Sequence, residues 1–211
     1  MTFTVSIPAP DRNLLTLAEM KDALGITDSA SDAKLETLGL QLSDLISDEC
    51  CIPSDGVNIP THRSETIVET FRLNNGANPL IISRRFVSWV ASITEDGTEL
   101  SAADFAIERA GGLLSRLDSS GGVICWTARE VIVTYDAGFA IVPATLKLAA
   151  TTVLREQWSA ARRDPLLRRD SVYGVGEREY WVDSSSGSGT NNSALSGQSS
   201  AMLNSYRYYA I

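Results

Sequence analysis

Histidine is all but missing from this 211-residue chain. His62 is the only one, so histidine-based nucleophilic relays and multi-histidine metal sites have almost no material. It sits in the polar run 61–65, THRSE, and reads as a surface residue. Cysteine is scarce as well: Cys50, Cys51 and Cys125 are odd in number and two are adjacent. Neither a zinc quartet nor a disulfide framework can be drawn from them, which leaves small apolar fillers in a reducing compartment. No apolar run approaches the roughly 18–20 residues that cross a bilayer. The opening MTFTVSIPAPDR lacks the basic and apolar regions of a secretion signal, so neither membrane insertion nor export is expected. Its short alternating run is either an edge strand or a disordered arm. Phosphate-cradling and nucleophile-elbow motifs do not occur, and Gly174-Val-Gly176 is at most half of a dinucleotide fingerprint, best read as a turn. Asp44 and Asp48 lie one helical turn apart but belong to a solvated acidic face. With no catalytic residue, metal ligand or cofactor site to name, the chain does not read as an enzyme.

Charge is present and unevenly placed. The formal net charge is −8. Residues 1–55 hold ten acidic against three basic residues, whereas residues 155–169 carry five arginines against Glu156 and Asp164. An acidic head and a basic helix end on one chain point to complementarity within or between protein subunits. A nucleic-acid-binding domain carries the opposite overall balance.

Helical periodicity appears three times. Thr16-Leu-Ala-Glu19 is a capping box, Leu17, Met20, Ala23 and Leu24 share a face, and Gly25 supplies a left-handed stop. A second helix is predicted over about 32–51, with Leu35, Leu38, Leu42, Leu45 and Ile46 on its buried side and Cys50 near it. The third runs over about 143–164. Pro143 suits a first helical position, Leu146, Ala149, Ala150, Val153, Leu154, Trp158 and Ala161 form the apolar stripe, and Pro165 stops it. Between the second and third helices the period falls to two, over about 66–135. Val87, Trp89, Ala91 and Ile93 alternate, and Asp96-Gly97 marks a hairpin whose tight turn needs positive φ at both positions. The expected fold is α+β: a small bundle of two amino-terminal helices and one long carboxy-terminal helix, with an inserted antiparallel β unit.

After Val182 the composition collapses. Residues 184–205 hold no charge and little apolar content, so this part of the arm (183–211) is predicted to be flexible beyond a folded unit spanning 1–182. Its aromatic end, with Tyr206, Tyr208, Tyr209 and Ile211 after Leu203, has the form of a partner-docking tether; folding back on its own domain is the alternative. Arg155, Arg162, Arg163, Arg168 and Arg169, followed by Tyr173, Tyr180 and Trp181, form the candidate interface to another subunit or partner.

Several stretches together carry a family resemblance: LLTLAEMKDALGI, DAKLETLGLQLSDLISDECC, SRRFVSWVASITEDGTELSAADFAIE, VIVTYDAGFAIVPATLKLAATTVLREQW and RRDPLLRRDSVYGVGEREYW. Over roughly residues 14–182 the chain resembles the head–tail connector (adaptor, or head-completion) proteins of long-tailed phages, prophages and gene transfer agents. The DG hairpin and the TYDAG…VP junction into the last long helix are its most telling pieces.

The resemblance implies a structural virion protein that forms a ring, of twelve subunits in the family, beneath the portal. Such a ring extends the DNA channel and offers a platform to the next neck or tail component, the stopper. It implies a virion location at the neck, after synthesis in the host bacterial cytoplasm, and genomic DNA passing through without sequence-specific binding. It also implies that the carboxy-terminal segment reaches the portal. Another neck or tail-completion protein, of terminator or stopper type, is the alternative, ahead of an unrecognised enzyme.

Overall fold

In a computed structural model, residues 2–74, 76–162, 169–172, 176–179 and 195–208 are described. Arg162 and the pairs of residues forming the strands at 169–172 and 176–179 enter as backbone only. The architecture is α+β, with antiparallel sheets and a helical layer.

The first helix, α1 (Leu17–Leu24), carries the predicted capping box: the Glu19 amide donates to the Thr16 hydroxyl oxygen and the Thr16 amide to the Glu19 carboxylate. Gly25 ends it in the left-handed region. The second, α2 (Asp32–Glu49), and the third, α3 (Ala144–Arg162), lie close to the predicted spans. Leu42, Ile46 and Cys50 meet Leu146, Ala149, Ala150, Val153 and Leu154 in one buried cluster. Burial of roughly 1.5–3 kcal/mol per large aliphatic side chain is what holds these helices together.

The main sheet has the order β1-β2-β9-β4-β5 and is antiparallel throughout. Its strands are β1 (Thr2–Ile7), β2 (Glu65–Arg72), β4 (Val87–Glu95), β5 (Thr98–Glu99) and β9 (Glu130–Ala137). The amino-terminal run is thus an edge strand rather than a free arm. In β2 and β9 every second residue is buried, the signature of a sheet with one covered face. A smaller sheet of β3 (Leu80–Ile81), β7 (Leu113–Leu117) and β6 (Phe105–Glu108), with β8 (Val123–Ile124) on β7, covers that face. Leu80, Ile82, Leu114 and Trp126 join Ile67, Phe71, Val131, Val133 and Tyr135 in a second core. Trp126 is fully buried, and its indole N–H donates to the Leu114 carbonyl at 3.3 Å.

Asp96 (φ 46°) and Gly97 (φ 84°) form the predicted turn into β5. Trp89 departs from the expected pattern. It is 61% exposed, because the register of β4 against β9 shifts between Val87 and Trp89 and again between Val90 and Ser92. Each irregularity inserts a residue into the alternation and re-aims the side chains around it.

Gly138 links the sheet to the helical layer. Its φ is 96°, and a Cβ there would stand 2.4 Å from the Arg63 carbonyl oxygen, so no side chain fits. The Phe139 amide then donates to the His62 carbonyl at 2.8 Å. A hairpin of β10 (Arg169–Val172) and β11 (Gly176–Glu179) follows α3 in sequence. The last helix, α4 (Gly197–Leu203), continues into a 3-10 turn at Asn204–Tyr206.

Candidate assembly surface

Leu195, Ser199 and Leu203 are buried, the last completely, against the cluster formed by α2 and α3. Residues 195–208 therefore pack on the chain's own helical layer, unlike the flexible arm expected from composition. Leu195 sits just before the Ser196 N-cap and Leu203 is the last residue of α4, so the two leucines anchor the helix at both ends. Ser196 caps α4 and donates through its hydroxyl to the Glu156 carboxylate on α3 at 2.9 Å.

The far end of the segment is clamped from both layers. The Arg207 guanidinium donates to the Glu49 carboxylate at the end of α2 and to the Ser200 hydroxyl at 2.7 Å. The Tyr208 amide donates to the Cys50 carbonyl at 2.7 Å, and Arg85, in the turn before β4, donates to the Arg207 carbonyl at 2.7 Å. The Arg85 guanidinium lies over the rings of Phe86 and Tyr208, at 5.1 and 5.8 Å. Burial pushes the Cys50 thiol up to about 12, so it serves as a protonated apolar filler, while Cys51 and Cys125 are exposed.

Tyr206 packs among Phe86, Phe139 and His62, with ring centroids 6.1, 5.9 and 6.2 Å away. His62 is thus the reverse of the surface residue its sequence context suggested. It is 2% exposed, and its Nε2 has no hydrogen-bond partner within the protein. Burial, reinforced by the nearby Arg84 cation, lowers its pKa to about 4. The reason lies in tertiary structure: Phe139 and Tyr206 arrive from distant parts of the chain.

Below this aromatic group lies a buried polar network. Arg84 donates to the Thr61 carbonyl at 3.0 Å and to Glu65 at 3.0 Å. Fully buried Glu69 accepts from the Ser83 amide and hydroxyl and from the Tyr135 hydroxyl, at 3.0, 2.7 and 3.0 Å. Burial raises the Glu69 carboxyl, against the opposing pull of these hydrogen bonds. These groups tie β2 and β9 to the turn between β3 and β4 and to the loop that leads into β2, a positioning role rather than an open site.

Of the predicted interface arginines, Arg155 is exposed on α3, and its Nε donates to the Ala23 carbonyl at 3.0 Å. It lines a shallow depression of about 230 Å³ with Glu19, Asp22, Lys147 and Thr151. Arg162 ends α3 and Arg169 opens β10 as described backbone; Arg163, Arg168, Tyr173, Tyr180, Trp181, Tyr209 and Ile211 lie outside the described residues. Leu203, Tyr206 and Tyr208 are already engaged within the chain. Sequence reasoning missed Glu49, Arg85, Phe86, Phe139 and Arg207. Arg207, set between two tyrosines after an uncharged run, was the one local signal.

Exposed apolar residues mark the outer surface: Ile141, in the loop before α3, is 85% exposed, and Leu148, in the second turn of α3, 53%. Among the described residues no helix is long and apolar enough to cross a membrane.

No protein-family model and no curated protein matches the chain. Solved structures do. One chain of the "Neck of empty GTA particle computed with C6 symmetry" aligns at a TM-score of 0.57 and 17% identity, covering 100% of this chain and 97% of that one. A chain of the "Virion of native gene transfer agent (GTA) particle" aligns at 0.52 and 18% identity, over 79% and 88% of the two. A third, from the "Neck of native GTA particle computed with C12 symmetry", gives 0.52 and 14% identity over 100% and 97%. The fold is that of these neck and virion chains.

Proposed function

We propose that this chain is a structural neck protein of a phage-like particle, a head–tail connector that forms a ring beneath the portal. The observation that carries the reading is the end-to-end fold similarity to chains of gene transfer agent necks, aligned over 100% of this chain. The chemistry agrees with it. The buried polar groups Glu65, Glu69, Arg84 and Tyr135 are spent on holding strands and loops together.

A ring of identical subunits needs a head-to-tail contact whose rotation closes. Exposed Ile141 and Leu148 supply apolar area for such a contact, with the basic side of α3 at Arg155 facing an acidic neighbour. Twelve copies, a portal on one side and a stopper on the other complete the assembly. The net charge of −8 suits a channel through which DNA slides, since like charge keeps phosphates from sticking. Docking of residues 203–208 on a portal subunit belongs to the same reading, and it requires the segment to leave its place beside Glu49 and Cys50.

The test is to image the full-length chain, alone and with its portal, by electron microscopy, and to weigh it by light scattering. Rings coaxial with the portal are expected. A chain that stays monomeric and ignores the portal at every salt concentration overturns the proposal.

A further inference from the structure

The smaller sheet covers the main sheet on the side of Ile67, Val133 and Tyr135. The opposite side presents three rows across β4, β9 and β2: Thr94–Ile132–Thr70, Ser92–Thr134–Val68 and Trp89–Asp136–Thr66. Val68, Ile132 and Trp89 belong to neither buried cluster, and among the described elements no helix packs on these strands. Asp136 is the one charge in the three rows.

One corner of this face has the make-up of a guanidinium receptor. The exposed Trp89 stands directly across from Asp136. The Thr66 hydroxyl donates to Asp136 Oδ1 at 2.6 Å, which orients the carboxylate and leaves its second oxygen open. Among the described residues no cation pairs with Asp136, whereas Glu130, at the other end of β9, is taken by Arg72 at 3.4 Å. An aromatic face beside a carboxylate suits arginine, which stacks on the one while donating to the other. A phosphate would be repelled there, so DNA is not the occupant.

The chain carries a matching surface on α3. Leu148 and Arg155 are both exposed and stand two turns apart on one side of the helix. The exposed residues before Leu148 on that side, Ala144 and Thr145, are small and let the helix lie close on a flat sheet. Arg155 spends only its Nε within the described residues, on the Ala23 carbonyl. Leu148 lies about 10 Å from Arg155 along the helix axis, and Ile132 lies about 13 Å from Asp136 along β9, so the two spacings correspond. We propose that the Trp89–Asp136 corner receives Arg155 of a second copy of this chain, with Leu148 laid on Val68 and Ile132. Such a contact joins two different surfaces head to tail, the kind whose rotation closes. The proposal rests on the ring reading and names both sides of its subunit contact.

The test places photoreactive benzoylphenylalanine at position 148 of the full-length chain. Unlabelled and nitrogen-15 chains are mixed, irradiated with and without portal, and the adducts are mapped by mass spectrometry. Adducts between chains, on residues 66–72, 87–95 or 130–137, are expected. Particles whose adducts fall elsewhere overturn this contact and leave the ring reading standing; a chain that stays monomeric by light scattering overturns both. Charge exchange gives a second readout. D136R and R155E each set like charges together and should weaken self-association about tenfold or more, while an equimolar mixture restores opposite charges at every contact. Trp89→Ala, at an exposed site, should weaken association as well, with circular dichroism unchanged from the parent. Equal association of the parent, the single variants and the mixture refutes the proposal.

Discussion

Arg84 and Glu65 form an ion pair at 3.0 Å with side chains 4% and 2% exposed. Arg84 also donates to the Thr61 carbonyl and stands 5.8 Å from the Phe3 ring centroid. The pair therefore ties β2 to the turn before β4 and to the loop that leads into β2. Removing one partner of a buried pair strands the other charge away from water, at a cost of about 3–5 kcal/mol. Glu65→Ala and Arg84→Ala are each expected to lower the unfolding free energy by that amount in urea titrations. The double replacement should cost clearly less than the sum of the two.

Gly138 makes a sharper prediction. Gly138→Ala combines a positive φ with a Cβ that would overlap the Arg63 carbonyl. The left-handed region alone costs an alanine roughly 1–2 kcal/mol, and the overlap adds to it. A loss of about 2 kcal/mol or more is expected by thermal or denaturant unfolding. A neutral result would mean that the junction between sheet and α3 yields freely.

His62 links stability to pH. Its folded pKa of about 4 lies below the ordinary histidine value of about 6.5 because burial, and then Arg84, disfavour the imidazolium. The unfolded state therefore binds the proton more readily. The stabilisation is whole above about pH 6.5 and is lost as pH falls toward about 4, amounting to about 3 kcal/mol. Burial raises the Glu65 and Glu69 carboxyls, which shifts stability with pH in the opposite sense. Comparison with His62→Gln isolates the histidine. The wild-type protein should lose stability relative to the variant between pH 6.5 and 4, and parallel curves would contradict the assignment.

Leu203 is the anchor of the carboxy-terminal segment. Leu203→Ala should cost about 2–5 kcal/mol if the segment unfolds together with the helical layer. Hydrogen exchange at the Tyr208 amide, which is bonded to the Cys50 carbonyl, reports the docking directly. Slow exchange in the wild type and fast exchange in the variant are expected.

Local chemistry made much of the fold legible. The Thr16–Glu19 box, the Asp96-Gly97 turn, the apolar stripe of α3 and the alternation in β2 and β9 each depend on residues near one another in sequence. What escaped depends on distant partners. His62 looks polar until Phe139 and Tyr206 close over it, and Trp89 turns outward only because β4 slips against β9. The helix α4 hides in a serine-rich stretch whose two useful leucines are too sparse to register as an amphipathic pattern. Its docking groove was likewise invisible, because Glu49, Cys50 and Arg85 become one surface only when both layers are assembled.

Asp55 shows how the exposed rim of the main sheet is kept to itself. Its carboxylate accepts from the Val5 amide at 3.0 Å, from the Val57 and Asn58 amides at 3.0 and 2.7 Å, and from the Asn58 side chain at 2.9 Å. Burial works to raise its pKa, yet these donors prevail and hold it well below the usual carboxylate range. An anion fixed there across the ordinary pH range occupies a donor on β1 that a foreign strand would otherwise use. Strand-by-strand growth into fibres is discouraged at that rim. A strand from another chain must first displace that carboxylate before it can pair at this rim.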